Sequence, residues 1–268
     1  MKYYKLIVSA VCFFTLVSCK KLIEIEETDL IAGSIALKTV NNCEQGIIGA
    51  YAGVGVEMGI LLNSTFSDEV KPAEFYNSQT THEWAYGSTD VGIRDNFTAI
   101  NNLYTIIDRV NRVLAALPNS DSTKVGDIVL RSKIKGEGLF LRAYAHFELF
   151  RYYSTNYDPA GLGMPYMEVS TLVPQARINM GTYFQKLNAD ITEAKTLLPN
   201  NLIDINRATR TAASALQARI ALYTKDWTNA VTYSSEFITA IPLSPIASFE
   251  GIWTDANTNE IGWRLIRT

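Results

Sequence analysis

The chain predicts an all-α fold, a body of paired helices in the manner of tetratricopeptide repeats. Three observations carry this. Apolar residues recur three and four apart through the long segments. Prolines separate those segments, as at Pro118, Pro159, Pro165, Pro174 and Pro199. One stretch, Leu222 to Ile238, reads LYTKDWTNAVTYSSEFI and has the form of a helical hairpin that buries its apolar face only against neighbours. The one good strand candidate is Glu260 to Ile266, where apolar and polar residues alternate.

The chain has 268 residues, 47% of them hydrophobic and 19% charged, which is ample for a sizeable core and excludes collagen-like or wholly disordered classes. The formal net charge of −3 argues against nucleic acid as a partner, since phosphate recognition needs a basic face. Two histidines make a His-rich metal site improbable, and neither a metal nor a cofactor is expected.

The elements follow in chain order. Residues 1–18 read as a signal peptide. Lys2 and Lys5 precede an apolar run, Leu6 to Val17, too short to cross a bilayer comfortably. The run ends in Leu16-Val17-Ser18-Cys19, similar to a bacterial lipobox, so Cys19 is the expected lipidation site and acyl chains the expected membrane anchor. With Cys12 in the leader and Cys19 acylated, Cys43 is left alone as a small core residue, and no disulfide framework is expected. Residues 19–38 form a tether, and 39–268 a single helical domain.

Within that domain, Val40–Val56 carries Ile47, Ile48, Ala50, Tyr51 and Val54 at helical spacing, with Asn41 or Asn42 as cap. Residues 62–94 are expected to be irregular. Asp95–Leu117 is a strong amphipathic helix, stopped by Pro118. Ile128–Tyr153 carries one stripe of Phe140, Tyr144 and Phe147 and a second of Leu141, Ala145, Leu149 and Tyr152. Apolar character on more than one side means a helix sandwiched between others. Residues 154–180 make a long loop, and Gly181–Leu198 a further helix. Asn206 is the expected cap of the next helix, rich in alanine. Lys225-Asp226-Trp227 turns into the last helix, Thr228–Ala240. Trp227 and Trp253 are expected in the core.

Four stretches then carry a resemblance. They are Cys19 followed by KKLIEIEET; INNLYTIIDRVNRVL at 100–114; Glu137-Gly-Leu-Phe-Leu-Arg142-Ala143 with its aromatic run to Tyr153 and Pro165-Tyr166; and Arg207-Ala-Thr through Ala230, with Asn259-Glu260-Ile261 further on. Together they resemble the SusD/RagB family, surface nutrient-binding lipoproteins of Bacteroidetes. Ser154 and Asn206 depart from the family's pattern, which has glycine there. The resemblance covers essentially the whole chain but about the first half of the family's fold, so a truncation before the C-terminal half is expected. It implies a lipid-anchored outer-membrane protein, facing outward, that captures an oligosaccharide for a SusC-like TonB-dependent transporter. Some relatives take peptides, so a peptide- or protein-binding helical scaffold is the alternative.

No sequence signature of catalysis accompanies this. There is no phosphate loop, nucleophile elbow or H-E-x-x-H. His146 is expected to be a neutral core residue, and Glu137 and Arg142 to serve packing or an ion pair. The candidate ligand-binding residues are Trp84, Tyr86, Tyr76, Asn77 and Asp90. There a stretch predicted to be irregular mixes aromatics, which stack on sugar CH faces, with groups that pair with hydroxyls. Trp84 is the residue matched to the stacking aromatic of glycan-binding relatives.

Overall fold

The computed structural model describes residues 33–55, 60, 63–67, 69, 99–122 and 124–265. The chain divides into two compact units, residues 1–36 and 37–268. In the first, the described residues form one helical turn, Gly33–Ala36. Among the described residues, the second holds seven helices of two turns or more: α1 (Val40–Tyr51), α2 (Ala99–Ala116), α3 (Asp127–Tyr153), α4 (Met180–Leu197), α5 (Arg210–Tyr223), α6 (Trp227–Ala240) and α7 (Ile246–Trp253).

Each of the first five helices packs on the next, and α3 also touches α1 and α5. This is the successive hairpin packing of a helical-repeat body. In α1, Val40, Cys43, Ile47 and Ala50 are fully buried along one face. Its cap is Thr39, whose hydroxyl accepts from the Asn42 amide N–H, and not Asn41 or Asn42. At the end of α2, Pro118 turns the chain into a 3₁₀ turn, Leu117–Asn119. Arg131 of α3 fastens that turn by donating to the Ser120 hydroxyl and carbonyl at 2.9 and 2.7 Å.

Helix α3 is the axis of the body. Phe140 and Phe147 of one stripe and Leu141, Ala145 and Leu149 of the other are buried, while Tyr144 and Tyr152 are half-buried. Two glycines in its middle are explained by close approach. A Cβ on Gly136 would stand 3.0 Å from Leu197 Cβ, and one on Gly138 3.0 Å from Leu114 Cδ2. Glycine costs about 1 kcal/mol in a helix interior, and here it lets two neighbouring helices close in.

Helix α4 is capped by Asn179, whose side chain accepts from the Thr182 N–H at 2.8 Å. It ends before Pro199, with Leu198 extended, as the residue before a proline prefers. The cap of α5 is Thr209, three residues beyond Asn206. Ala212, Ala213, Ser214, Ala218 and Ala221 are buried, and these small side chains let α4 and α6 flank α5 closely. Lys225 takes the left-handed conformation (φ 59°) in the turn, and Asp226 caps α6 through the Asn229 N–H.

Two expectations are overturned. Trp227 is 61% and Trp253 78% exposed, so neither is core. Only Ala230 of α6, and no residue of α7, is buried, because no described element covers their outer faces. Helix α7 itself lies where no element was expected. Residues 260–265 are not a strand. The Gly262 carbonyl accepts from the Thr209 hydroxyl, and the Arg264 N–H donates to the Ile205 carbonyl. Trp263 packs edge-to-face on Phe140 and Tyr144, with ring centroids 5.1 and 5.4 Å apart. The alternation thus serves a loop laid over helices. The described residues form no strand, only isolated bridges at Thr39–Asp121 and Leu162–Asn179.

Candidate functional site

The long loop after α3 comes back across α2 and leaves a groove of about 420 Å³ between them. Its position depends on a buried polar network that begins at Arg142. The guanidinium clamps Asp190 of α4 with two bonds of 2.6 Å, and its remaining nitrogen donates to Asn111 Oδ1 at 2.9 Å. Burial works against the charge on Arg142, but the Asp190 carboxylate outweighs it and raises the guanidinium's pKa. Tyr166 of the loop donates to Asp190 at 2.6 Å, and burial and that carboxylate push its phenol far up.

His146 completes the network. It is fully buried and stacks on Tyr166, with ring centroids 3.8 Å apart. The Tyr183 hydroxyl donates to the His146 carbonyl at 2.6 Å, so its oxygen is free to accept from Nδ1–H at 3.1 Å. Nε2 then accepts from the Met167 N–H at 3.2 Å. Both ring nitrogens are satisfied by the neutral form, and burial pushes the pKa down to about 3. Asn111 Nδ2 donates to the Met167 carbonyl at 3.0 Å and the Tyr104 hydroxyl to the Pro165 carbonyl at 3.3 Å. Residues 165–168 are therefore held by side chains from α2, α3 and α4.

This fixed stretch forms one wall of the groove, with Ile107, Met164 and Met167 among its apolar lining. Asp108 lies on the α2 side. Burial opposes its ionisation, but hydrogen bonds from Arg112 (2.8 Å) and Ser170 (2.5 Å) outweigh that and hold its carboxyl below the usual range. Gln175 donates to the Val173 carbonyl, which leaves its own carbonyl oxygen as an acceptor. Val169, Leu172 and Val173 are exposed at the rim. A small apolar cleft with a few fixed acceptors suits a ligand that offers hydroxyl donors and CH surface.

The sequence-predicted ligand residues Trp84, Tyr86, Tyr76, Asn77 and Asp90 lie outside the described residues, as does Cys19. Sequence reasoning did not single out the groove. Its sequence signal is Pro165-Tyr166 downstream of Arg142, a loop anchor whose partner Asp190 lies 24 residues further on. Glu137 and Arg142 do form ion pairs. Glu137, fully buried, is held by Arg207 at 2.5 Å. Among the described residues, no group of three or more His, Cys, Asp or Glu could hold a metal, and no helix is long and apolar enough to cross a membrane.

A family model, SusD-like_3, described as "Starch-binding associating with outer membrane", matches residues 25–222. No match is found among curated proteins. Several solved structures share the fold. A SusD-like protein from Bacteroides fragilis NCTC 9343 is 18% identical with a TM-score of 0.65, over 87% of this chain and 46% of its own. A SusD superfamily protein from Bacteroides thetaiotaomicron VPI-5482 is 16% identical with a TM-score of 0.62, over 80% and 50%. A laminarin-binding SusD-like protein is 17% identical with a TM-score of 0.53, over 81% and 48%. The chain thus spans about half the length of these structures. The match to the family model takes in most of the chain, from before α1 to the last turn of α5, and on that ground the chain belongs to the SusD-like family.

Proposed function

We propose that this protein is a non-catalytic, lipid-anchored capture protein of the outer membrane that binds an oligosaccharide for import through a SusC-like TonB-dependent transporter. The family match supports it, and the groove between α2 and the loop at 164–175 is the observation that carries it here. The Arg142–Asp190 clamp and His146 hold the groove's wall in place before any ligand arrives. A site fixed in advance loses less entropy on binding. Asp108 and Gln175 accept from sugar hydroxyls, while Met164 and Met167 meet the CH faces. Trp84 of the 75–90 stretch supplies a stacking ring, and Cys19 the anchor.

Calorimetry against a panel of oligosaccharides, laminarin fragments among them, tests the reading. Asp108→Ala is expected to weaken the best binder roughly tenfold, the scale of one or two hydrogen bonds lost. Trp84→Ala is expected to cost roughly ten- to thirty-fold, from about 60–80 Å² of apolar contact. Unchanged affinity in both folded variants would remove this site. Cys19→Ala should release the protein from membranes. The exposed rim of Val169, Leu172 and Val173 favours the second reading, a bound peptide with apolar side chains. Affinity for peptides and none for any glycan would establish it instead.

A further inference from the structure

A second cavity, larger than the groove and separate from it, lies among the end of α4, the first turns of α5 and the second half of α6. It holds about 660 Å³. The groove's lining includes methionines, prolines and valines, whereas nine of the ten residues lining this basin carry a polar or charged side chain.

The charges at its base are already matched. The Lys195 ammonium pairs with the Glu236 carboxylate and donates to Gln217 Oε1 at 3.1 Å. Ser214 donates to Glu236 at 2.7 Å. Burial opposes ionisation of Glu236, but these two donors outweigh it and keep the carboxyl below its usual range. The basin's remaining charge is Arg210. Its Nε donates to the Lys195 carbonyl at 3.2 Å, and its two terminal nitrogens have no partner among the described residues. Beside it, Thr211 also lines the basin, is only 8% exposed, and has a hydroxyl without a partner among those residues. Along the α6 wall, Thr232 and Thr239 spend their hydroxyl protons on helix carbonyls, at 2.9 and 2.8 Å. Their oxygens are left as acceptors.

The walls therefore differ. The α5 side offers an open guanidinium edge and an unpaired threonine hydroxyl, with one positive charge in excess. The α6 side offers acceptors for hydroxyl protons. A carboxylate satisfies the first, since two parallel N–H groups match its two oxygens. Neutral hydroxyls satisfy the second. A phosphate monoester dianion would use the guanidinium and bring no proton to the acceptor threonines. We propose that this basin is a binding site for an acidic sugar, a uronic acid unit, its carboxylate on Arg210 and its hydroxyls on Thr211, Thr232 and Thr239. The proposal is independent of the groove, because the two cavities share no residue.

The test is calorimetry of the full chain with digalacturonate, galactobiose and inorganic phosphate. Digalacturonate is expected to bind, with galactobiose at least tenfold weaker and phosphate unable to displace the uronate. Arg210→Gln should reduce uronate affinity at least tenfold. Because Arg210 also bonds a backbone carbonyl, Ser235→Glu provides a second variant. It places a negative charge at an exposed position of the basin wall, and it should reduce uronate binding as much while leaving the melting temperature unchanged. No binding of digalacturonate, equal affinity for galactobiose, displacement by phosphate, or full binding by Ser235→Glu would overturn the proposal.

Discussion

Helices α3 and α6 look alike as sequences and fare differently in the fold. Both carry aromatic and branched residues on more than one side. In α3 those residues meet α1, α2, α4 and α5, and sixteen of its positions are buried. In α6 one side meets α5, and Ala230 alone is buried, while Trp227, Val231 and Ile238 are each about 60% or more exposed. The next helix continues the pattern, with Ile246 94% and Trp253 78% exposed. Burial depends on what lies opposite, which the residues of one helix do not specify.

The largest effect is expected at the sealed end of the comparison. Phe147 is fully buried, edge-to-face with Tyr223 at 5.2 Å and under the Arg219 guanidinium. Phe147→Ala should cost about 3–5 kcal/mol in chemical unfolding, a large part of a domain's total of about 5–15. A loss below about 1 kcal/mol would mean that α3 is no more enclosed than α6.

Acid sharpens the same contrast. His146 is neutral in the fold, with its pKa pushed down to about 3 by burial, whereas an unfolded imidazole titrates near ~6.5. Above about pH 6.5 both states are neutral, and this residue makes no pH dependence. As pH falls from about 6.5 towards about 3, the unfolded chain takes a proton that the fold refuses. Stability then drops by about 1.4 kcal/mol per pH unit. Urea unfolding at about pH 7 and pH 5 should show this slope in the wild type and a shallower one in His146→Gln. Equal slopes would place the acid sensitivity elsewhere.

The smallest effect is expected at the open end. Trp253→Ser should change the melting free energy by no more than about 0.5 kcal/mol, as at other exposed positions. A loss above about 2 kcal/mol would show that the face of α7 is covered after all.

Much of the body was legible because helical periodicity is a local property. The boundaries of α3 and α4 fall within a residue of those expected, at Asp127–Tyr153 and Met180–Leu197. The neutral buried state of His146 and the ion pairs of Glu137 and Arg142 were also foreseen, since charge and imidazole on a packed helix must be matched or neutral. The caps were missed by two or three residues. Thr39 and Thr209 compete with nearby asparagines of equal propensity, and only the chain's path into the helix decides between them. Positions 154 and 206 are the two departures from the resemblance, where glycine is the usual or frequent residue. Ser154 Oγ and Asn206 Oδ1 there are buried with no partner among the described residues, an unpaired state that folds generally avoid.

By itself, the sequence determined the first six helices, the sandwiching of α3 among its neighbours and a charge balance unlike that of a nucleic-acid binder. Each follows from periodicity or composition within a few turns of chain. Only the tertiary structure decided which apolar faces are closed, that residues 260–265 lie as a loop over Phe140 and Tyr144, and that Arg142 holds the groove wall through Asp190. Those outcomes join positions tens of residues apart. Arg142 and Asp190 meet across two helices, and Arg207 reaches Glu137 and Glu44. Packing and long-range pairing set them, and no local pattern encodes the partner.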